Sequence, residues 1–151
     1  MEIERKFLLK EIPGSLSDYQ KKEIEQVYVC TSPVIRARKT DDHYTLTVKG
    51  SGMLAREELN LPMSAEAYEH LKAKADGHPI TKTRYLIPLE GGLTGELDVF
   101  HGLLTGLIFM EIEFSSVEEA LAYVPPAWVS EDVTENPKYH NSYLSQIEKW
   151  V

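Results

Sequence analysis

Cysteine is almost missing from this chain, and the lone Cys30 has no partner for an internal disulfide, so nothing argues for an oxidising compartment. Cys30 is expected as a small core residue. Long apolar runs are missing as well: no stretch approaches the roughly 18 to 20 residues that a membrane span needs. The opening Met1-Glu2-Ile3-Glu4-Arg5-Lys6 is too charged to be a cleavable signal peptide. A cytoplasmic domain is the expectation. Basic charge is in deficit, with 16 Lys+Arg against 24 Asp+Glu and a formal net charge of -8. That balance argues against a nucleic-acid or anionic-membrane partner, and it sets no stoichiometry, so a homodimer stays open. There are no repeats, low-complexity tracts or linkers. Gly50-Ser51-Gly52 and Gly91-Gly92 do not match a P-loop and read as turns. His43, His70, His78, His101 and His140 follow no metal-ligand spacing, so each is expected at the surface or in a turn.

What is present is one domain's worth of chain, 151 residues of which 42% are hydrophobic. The dominant pattern has period two, the signature of half-buried strands. It runs through Glu2 to Leu9, Glu25 to Cys30, Val34 to Arg38, Tyr44 to Lys49, Arg56 to Leu61, Lys82 to Leu89, Glu96 to Phe100 and Met110 to Phe114, which makes eight short strands. Three helices are expected. Ser64 caps Ala65 to Ala75 with Gly77 as the stop, Ser116 opens a helix through Tyr123 with Glu119 in a capping-box position, and Asn136-Pro137 leads into Lys138 to Trp150. A weaker helical signal covers Ser17 to Lys22.

Residues two apart on a strand share a face. That rule groups Glu2, Glu4 and Lys6; Arg36 and Arg38; Thr45, Thr47 and Lys49; Arg56 and Glu58; Lys82 and Arg84; Glu96 and Asp98; Glu111 and Glu113. These faces hold seven bases and seven acids, leaving 9 bases and 17 acids elsewhere, so the acidic excess lies off them. Alternating charge is the usual wet side of an antiparallel sheet. Here same-sign pairs recur, where a surface built for stability intersperses signs. Paired carboxylates are hard ligands for Mg²⁺ or Mn²⁺, and Arg and Lys bind phosphoryl oxygens. Closing the strands into a barrel turns this face into a lumen lined by both. Ile3, Phe7, Ile35, Leu46, Val48, Leu97, Val99, Ile112 and Phe114 then pack outward, Arg5 points out to the surface, and Glu57 is solvated.

Glu2-Ile3-Glu4-Arg5-Lys6 resembles the ExExK signature of the CYTH superfamily, the triphosphate tunnel metalloenzymes. The likeness continues in order through Gln26-Val27-Tyr28, Arg36-Ala37-Arg38, Thr45 to Lys49, Arg56-Glu57-Glu58, Lys82-Thr83-Arg84, Glu96 to Phe100 and Met110 to Phe114. The tail, Glu131 to Thr134 and Lys138 to Ser142, resembles the ending of short single-domain bacterial members, so the likeness spans a single domain over residues 1–151.

The resemblance implies an α+β fold, an eight-stranded antiparallel closed β-barrel with peripheral helices, and a divalent-metal-dependent hydrolase acting on a small polyphosphate. Carried over, Glu2, Glu4, Glu111 and Glu113 are the principal metal ligands, with Glu58 and Asp98 assisting. Lys6, Arg36, Arg38, Lys49, Arg56, Lys82 and Arg84 cradle the phosphates. The catalytic group comprises Glu4, Lys82 and Tyr28, the last as proton acceptor. A tyrosine in that role needs positive charge beside it, with Lys49 and Lys82 as the expected sources. The implied substrate is inorganic triphosphate, with nucleoside triphosphates secondary. The alternatives are a class IV-type adenylate cyclase or thiamine triphosphatase, and a non-catalytic polyphosphate-binding module. Trp128 is expected against the third helix or the tunnel mouth; Asn141 and Ser142 contact ligand if the C-terminal helix caps one opening, with helix-surface polarity the simpler account.

Overall fold

A computed structural model describes residues 1–150; Val151, the last residue of the expected domain, lies outside the described residues. The alternating segments become strands β1 (Glu2–Leu9), β2 (Gln20–Thr31), β3 (Val34–Thr40), β4 (His43–Lys49), β5 (Ala55–Arg56), β6 (Glu58–Pro62), β7 (Asp76–Pro88), β8 (Thr94–Phe100), β9 (Ile108–Glu113) and β10 (Val129–Asp132). The helices are α1 (Ala65–Lys72), α2 (Val117–Ala122) and α3 (Asn141–Leu144). None of the described helices is long and apolar enough to cross a membrane.

The sheet runs β10-β1-β9-β8-β7-β2-β3-β4-β6, and every neighbouring pair is antiparallel. It curls until its ends meet, because β5 returns to β1 with Arg56 opposite Glu2 and Ala55 opposite Ile3. The expected strand from Arg56 to Leu61 is therefore two pieces broken at Glu57. β6 stays on β4 while β5 crosses to β1, and the break is what lets one segment bridge both ends. Counting β5 and β6 as one stave, β1 and β9 stand across the barrel from β2 and β3.

Three other expectations change. β2 and β7 begin earlier, at Gln20 and Asp76, pairing along most of their length, so the signal at Ser17 to Lys22 yields only a 3₁₀ turn at Leu16–Asp18. β10 is an unforeseen strand on the C-terminal half of β1. The third helix shrinks to a 3₁₀ turn at Pro137–Tyr139 and the single turn of α3. Its backbone is claimed elsewhere: the Ser145 carbonyl accepts from His78 N at 2.9 Å, and a Cβ on Gly77 would sit 2.2 Å from that same oxygen. Gly77, φ +67°, thus serves this close approach within β7 rather than stopping α1, which ends at Lys72. The caps hold as expected, Ser64 Oγ accepting from Ala67 N and Ser116 Oγ from Glu119 N.

Much of the apolar packing lies outside the curl. Ile3, Phe7, Leu97, Met110, Ile112 and Phe114 pack outward with Ala120 of α2, and Trp128 joins this cluster rather than the tunnel mouth. Val27 and Ala37 pack outward on Tyr68 of α1. α1 reaches β4 at Tyr44, whose ring lies 5.3 Å from that of Tyr68, while Leu46 and Val48 are only half-buried and pair across to the exposed Leu61 and Leu59. One end of the lumen is apolar, filled by Ile80, Phe100, Phe109 and Leu144 with Leu8 and Tyr139 against them, which seats the C-terminal segment over it. Cys30 is only half-buried and is not part of the core, its thiol 3.6 Å from the Ser32 carbonyl. Arg5 points outward as expected but is tied down, reaching Asp132 at 2.8 Å and the carbonyls of Ala120 and Tyr123.

Candidate active site

The strand alternation turns Glu2, Glu4, Lys6, Tyr28, Arg36, Arg38, Lys49, Arg56, Glu58, Arg84, Glu111 and Glu113 into one cavity of about 230 Å³. Glu57, on the other face, is exposed.

The carboxylates come in pairs. Glu4 lies beside Glu111 and Glu2 beside Glu58, so that a proton on one carboxyl of a pair can be donated to the other. Burial, then the charges of Glu111 and Glu2, lift the Glu4 carboxyl well above the usual carboxylate range. Glu111 falls well below it, since Lys6 and Arg84 outweigh the burial that would raise it. In the second pair burial raises Glu2 against the pull of Lys49, while Glu58 is held down at about 2 by Glu2, Asn60 and Lys49 despite burial. Glu113, next to these, is raised by burial and by the charges of Glu2, Glu96 and Glu58. Lys49 lies 3.0 Å from Glu2 and 3.4 Å from Glu58, and Arg56 lies 3.4 Å from Glu2. Among the described residues no three acidic, imidazole or thiol groups converge on one point as placed.

The balance reverses around three cations, Lys6 on β1 and Arg36 and Arg38 across the barrel on β3. Among the described residues Lys6, Arg36 and Arg38 form no ion pair and donate to neutral groups, while the charge of Lys6 bears on Glu111. Lys6 Nζ donates to the Tyr139 carbonyl at 2.6 Å and lies 4.4 Å from the Phe109 ring centre. Arg36 Nη2 donates to Thr47 at 3.3 Å, and its Nε is buried with no partner among the described residues. Arg38 Nε donates to Gln26 at 2.8 Å. Burial with Arg36 and Arg84 nearby pushes Arg38 down to about 9, so it is still charged at neutral pH. Tyr28 is buried, opposite Arg36 in register, and its hydroxyl accepts from Gln26 Nε2 at 3.1 Å. The β3 arginines, Arg36 in register and Arg38, place positive charge beside it.

Two expected residues share the lumen face but are not among the residues that line the cavity. Lys82 and Asp98 have fully buried side chains and pair at 2.8 Å, and Asp98 also takes both Nε and Nη2 of Arg84. Burial pushes Lys82 down to about 7, with Asp98 opposing, and Lys82 donates to Asn141 Oδ1 at 3.2 Å. With its oxygens taken by Lys82 and Arg84, Asp98 braces the cations instead of lining the cavity.

The lining also contains Val34, Asn60, Glu96, His140, Asn141 and Ser142. Asn60 and Glu96 share strand faces with Glu58 and Asp98, so period two points to them. His140 is not at the surface as expected, and Asn141 and Ser142 take the capping position rather than the helix-surface one. The chain returns over the barrel end, a contact that no local pattern encodes.

Comparison with known proteins agrees with this geometry. An inorganic triphosphatase of Nitrosomonas europaea is 37% identical over 147 residues, 95% of this chain and 96% of that protein. An inorganic triphosphatase of Acetivibrio thermocellus is 33% identical over 147 residues, 95% of this chain and 92% of that protein. The crystal structure of an inorganic triphosphatase superposes with a TM-score of 0.72 at 33% identity, covering 99% of this chain and 97% of that one. The family profile described as the CYTH domain matches residues 1–149. With the curled antiparallel sheet, the charged lumen and these relatives together, the chain belongs to the CYTH domain family.

Proposed function

We propose that this protein is an inorganic triphosphatase, a divalent-metal-dependent hydrolase converting inorganic triphosphate to pyrophosphate and phosphate. The observation that carries the reading is the set of recessed cations without carboxylate partners, Lys6, Arg36 and Arg38, with Arg36 Nε unsatisfied. Buried charge held only by neutral dipoles is costly unless an anion completes it. The two relatives named inorganic triphosphatase support the choice of substrate.

Phosphoryl transfer needs positioning and charge neutralisation more than covalent chemistry. Lys6, Arg36 and Arg38 hold phosphoryl oxygens directly. Lys49, Arg56 and Arg84 orient the carboxylates facing them and add positive charge around the substrate. Asp98 fixes Arg84, with Lys82 on the same carboxylate. Tyr28, in the cationic wall, is placed to accept the proton of the attacking water. The donors for a metal fit as pairs: Glu4 with Glu111 and Glu2 with Glu58, flanked by Glu113, would hold Mg²⁺ or Mn²⁺. Mg²⁺ typically takes one or two carboxylates and completes its shell with substrate phosphates and water, so the lack of a three-residue cage suits it. Bound there, the ion supplies Lewis-acid polarisation of the phosphoryl oxygens.

The test is product-resolved turnover of inorganic triphosphate, ATP and thiamine triphosphate with Mg²⁺, with Mn²⁺ and with chelator. Metal-dependent release of orthophosphate, fastest from inorganic triphosphate, is expected. Cyclic AMP from ATP, preference for thiamine triphosphate, or binding without turnover would overturn the reading.

A further inference from the structure

One tunnel side chain has no part in the chemistry above. His140 lines the central cavity and also an adjoining crevice of about 450 Å³ that opens beside the C-terminal segment. Its Nε2 lies 3.1 Å from the carbonyl oxygen of Thr134. A carbonyl only accepts, so Nε2 carries the hydrogen and Nδ1 is the free lone pair of the neutral ring. No protein group meets Nδ1 among the described residues. The residues on both sides are anchored, Tyr139 through its carbonyl on Lys6 and Asn141 through its side-chain Oδ1 on Lys82, which holds the ring where it is. The charged groups bearing on it are Lys6 from β1 and Arg56 from β5, opposed by Glu111 from β9, and burial and the two cations hold it below the ordinary histidine value.

We propose that His140 is a further substrate-binding residue, whose Nδ1 takes up a proton as triphosphate enters and then donates to a phosphoryl oxygen. The inference rests on the triphosphatase reading and adds a residue to it. The physical cause is a reversal of field. Without ligand, Lys6 and Arg56 repel an imidazolium; a polyanion lying between them attracts one. The ring's proton affinity is therefore higher in the complex than in the free protein. Binding takes up protons near neutral pH, strengthens as pH falls toward the free ring's value, and weakens as pH rises past the bound value.

Calorimetric titration of the whole protein with inorganic triphosphate in chelator, in two buffers of different ionisation enthalpy, measures that proton uptake. Imidazole NMR on the same sample identifies the ring, with His43, His70, His78 and His101, none of which lines the cavity, as internal references. The expected result is proton uptake on binding, with the His140 resonances moving to the imidazolium form. His140→Gln, which keeps a donor for the Thr134 carbonyl, should lose the uptake. In the metal-containing assay it should raise KM for triphosphate roughly tenfold, about the worth of one charge-assisted hydrogen bond, with a smaller effect on kcat. That difference should close at alkaline pH. Unchanged uptake in the variant, or His140 resonances indifferent to triphosphate in the wild type, would overturn the inference even if triphosphate is cleaved. A wild type that neither binds nor cleaves triphosphate would overturn the functional reading beneath it.

Discussion

At Glu4 the fold and the proposed chemistry pull in opposite directions. Its carboxyl sits well above the usual range because burial and the neighbouring Glu111 and Glu2 disfavour the ionised form. A raised folded value means that stability is fully present at low pH and is lost as pH rises through that value. Glu4→Gln fixes the neutral form, so in chelator at neutral pH its melting temperature should exceed the wild type's. Its turnover with metal should fall on the order of 10²-fold or more, the loss of several kcal/mol of transition-state stabilisation. A lower melting temperature or near-normal turnover would refute the assignment. Arg36→Met makes the complementary case on the cationic wall. Removing a buried cation whose Nε has no partner should leave the melting temperature unchanged or higher while raising KM for triphosphate at least tenfold. A destabilised variant with normal KM would make Arg36 a structural residue.

Among the elements, β5 is the slightest and has the most consequence. Two residue pairs, Glu2 with Arg56 and Ile3 with Ala55, close the sheet on itself, backed by Glu4 N donating to the Leu54 carbonyl at 3.0 Å. The ion pairs of Glu2 with Lys49 and Arg56 straddle the same seam. Hydrogen exchange should therefore be fastest among the paired strands at residues 54–58, and triphosphate should slow it there more than on β7 or β8. Uniform protection with and without ligand would contradict this. The seam also marks how far local pattern reaches. Side-chain alternation is encoded residue by residue, so the lumen faces of β1, β3, β4, β8 and β9 were legible along with the outward Phe7, Leu97 and Ile112. The break at Glu57 was not, because a segment leaves its strand only when a distant partner waits for it. The third helix failed similarly: Asn136-Pro137 does open a turn, but Leu144 and Tyr139 are drawn onto the lumen end. That same return placed His140 in the cavity, which no spacing among five histidines announces.

For the molecule as a whole, the usual arrangement of a small domain is partly turned inside out: charge fills the middle, and two of the three main apolar clusters lie outside the strands. The lining bases and acids are equal in number, six of each, so the net charge of -8 belongs to the remainder of the protein. At a distance a polyanion meets that excess before it meets Lys6 or Arg36. Adding inert monovalent salt to about 0.1 M, where the screening length is about 10 Å, should raise kcat/KM for triphosphate, the reverse of an electrostatically steered enzyme. A steady fall from the lowest salt would show instead that the field at the entrance is positive. In kinetic terms the exterior sorts the substrate pool before the tunnel engages it: triphosphate already complexed with a divalent cation carries less negative charge and arrives faster than the bare anion.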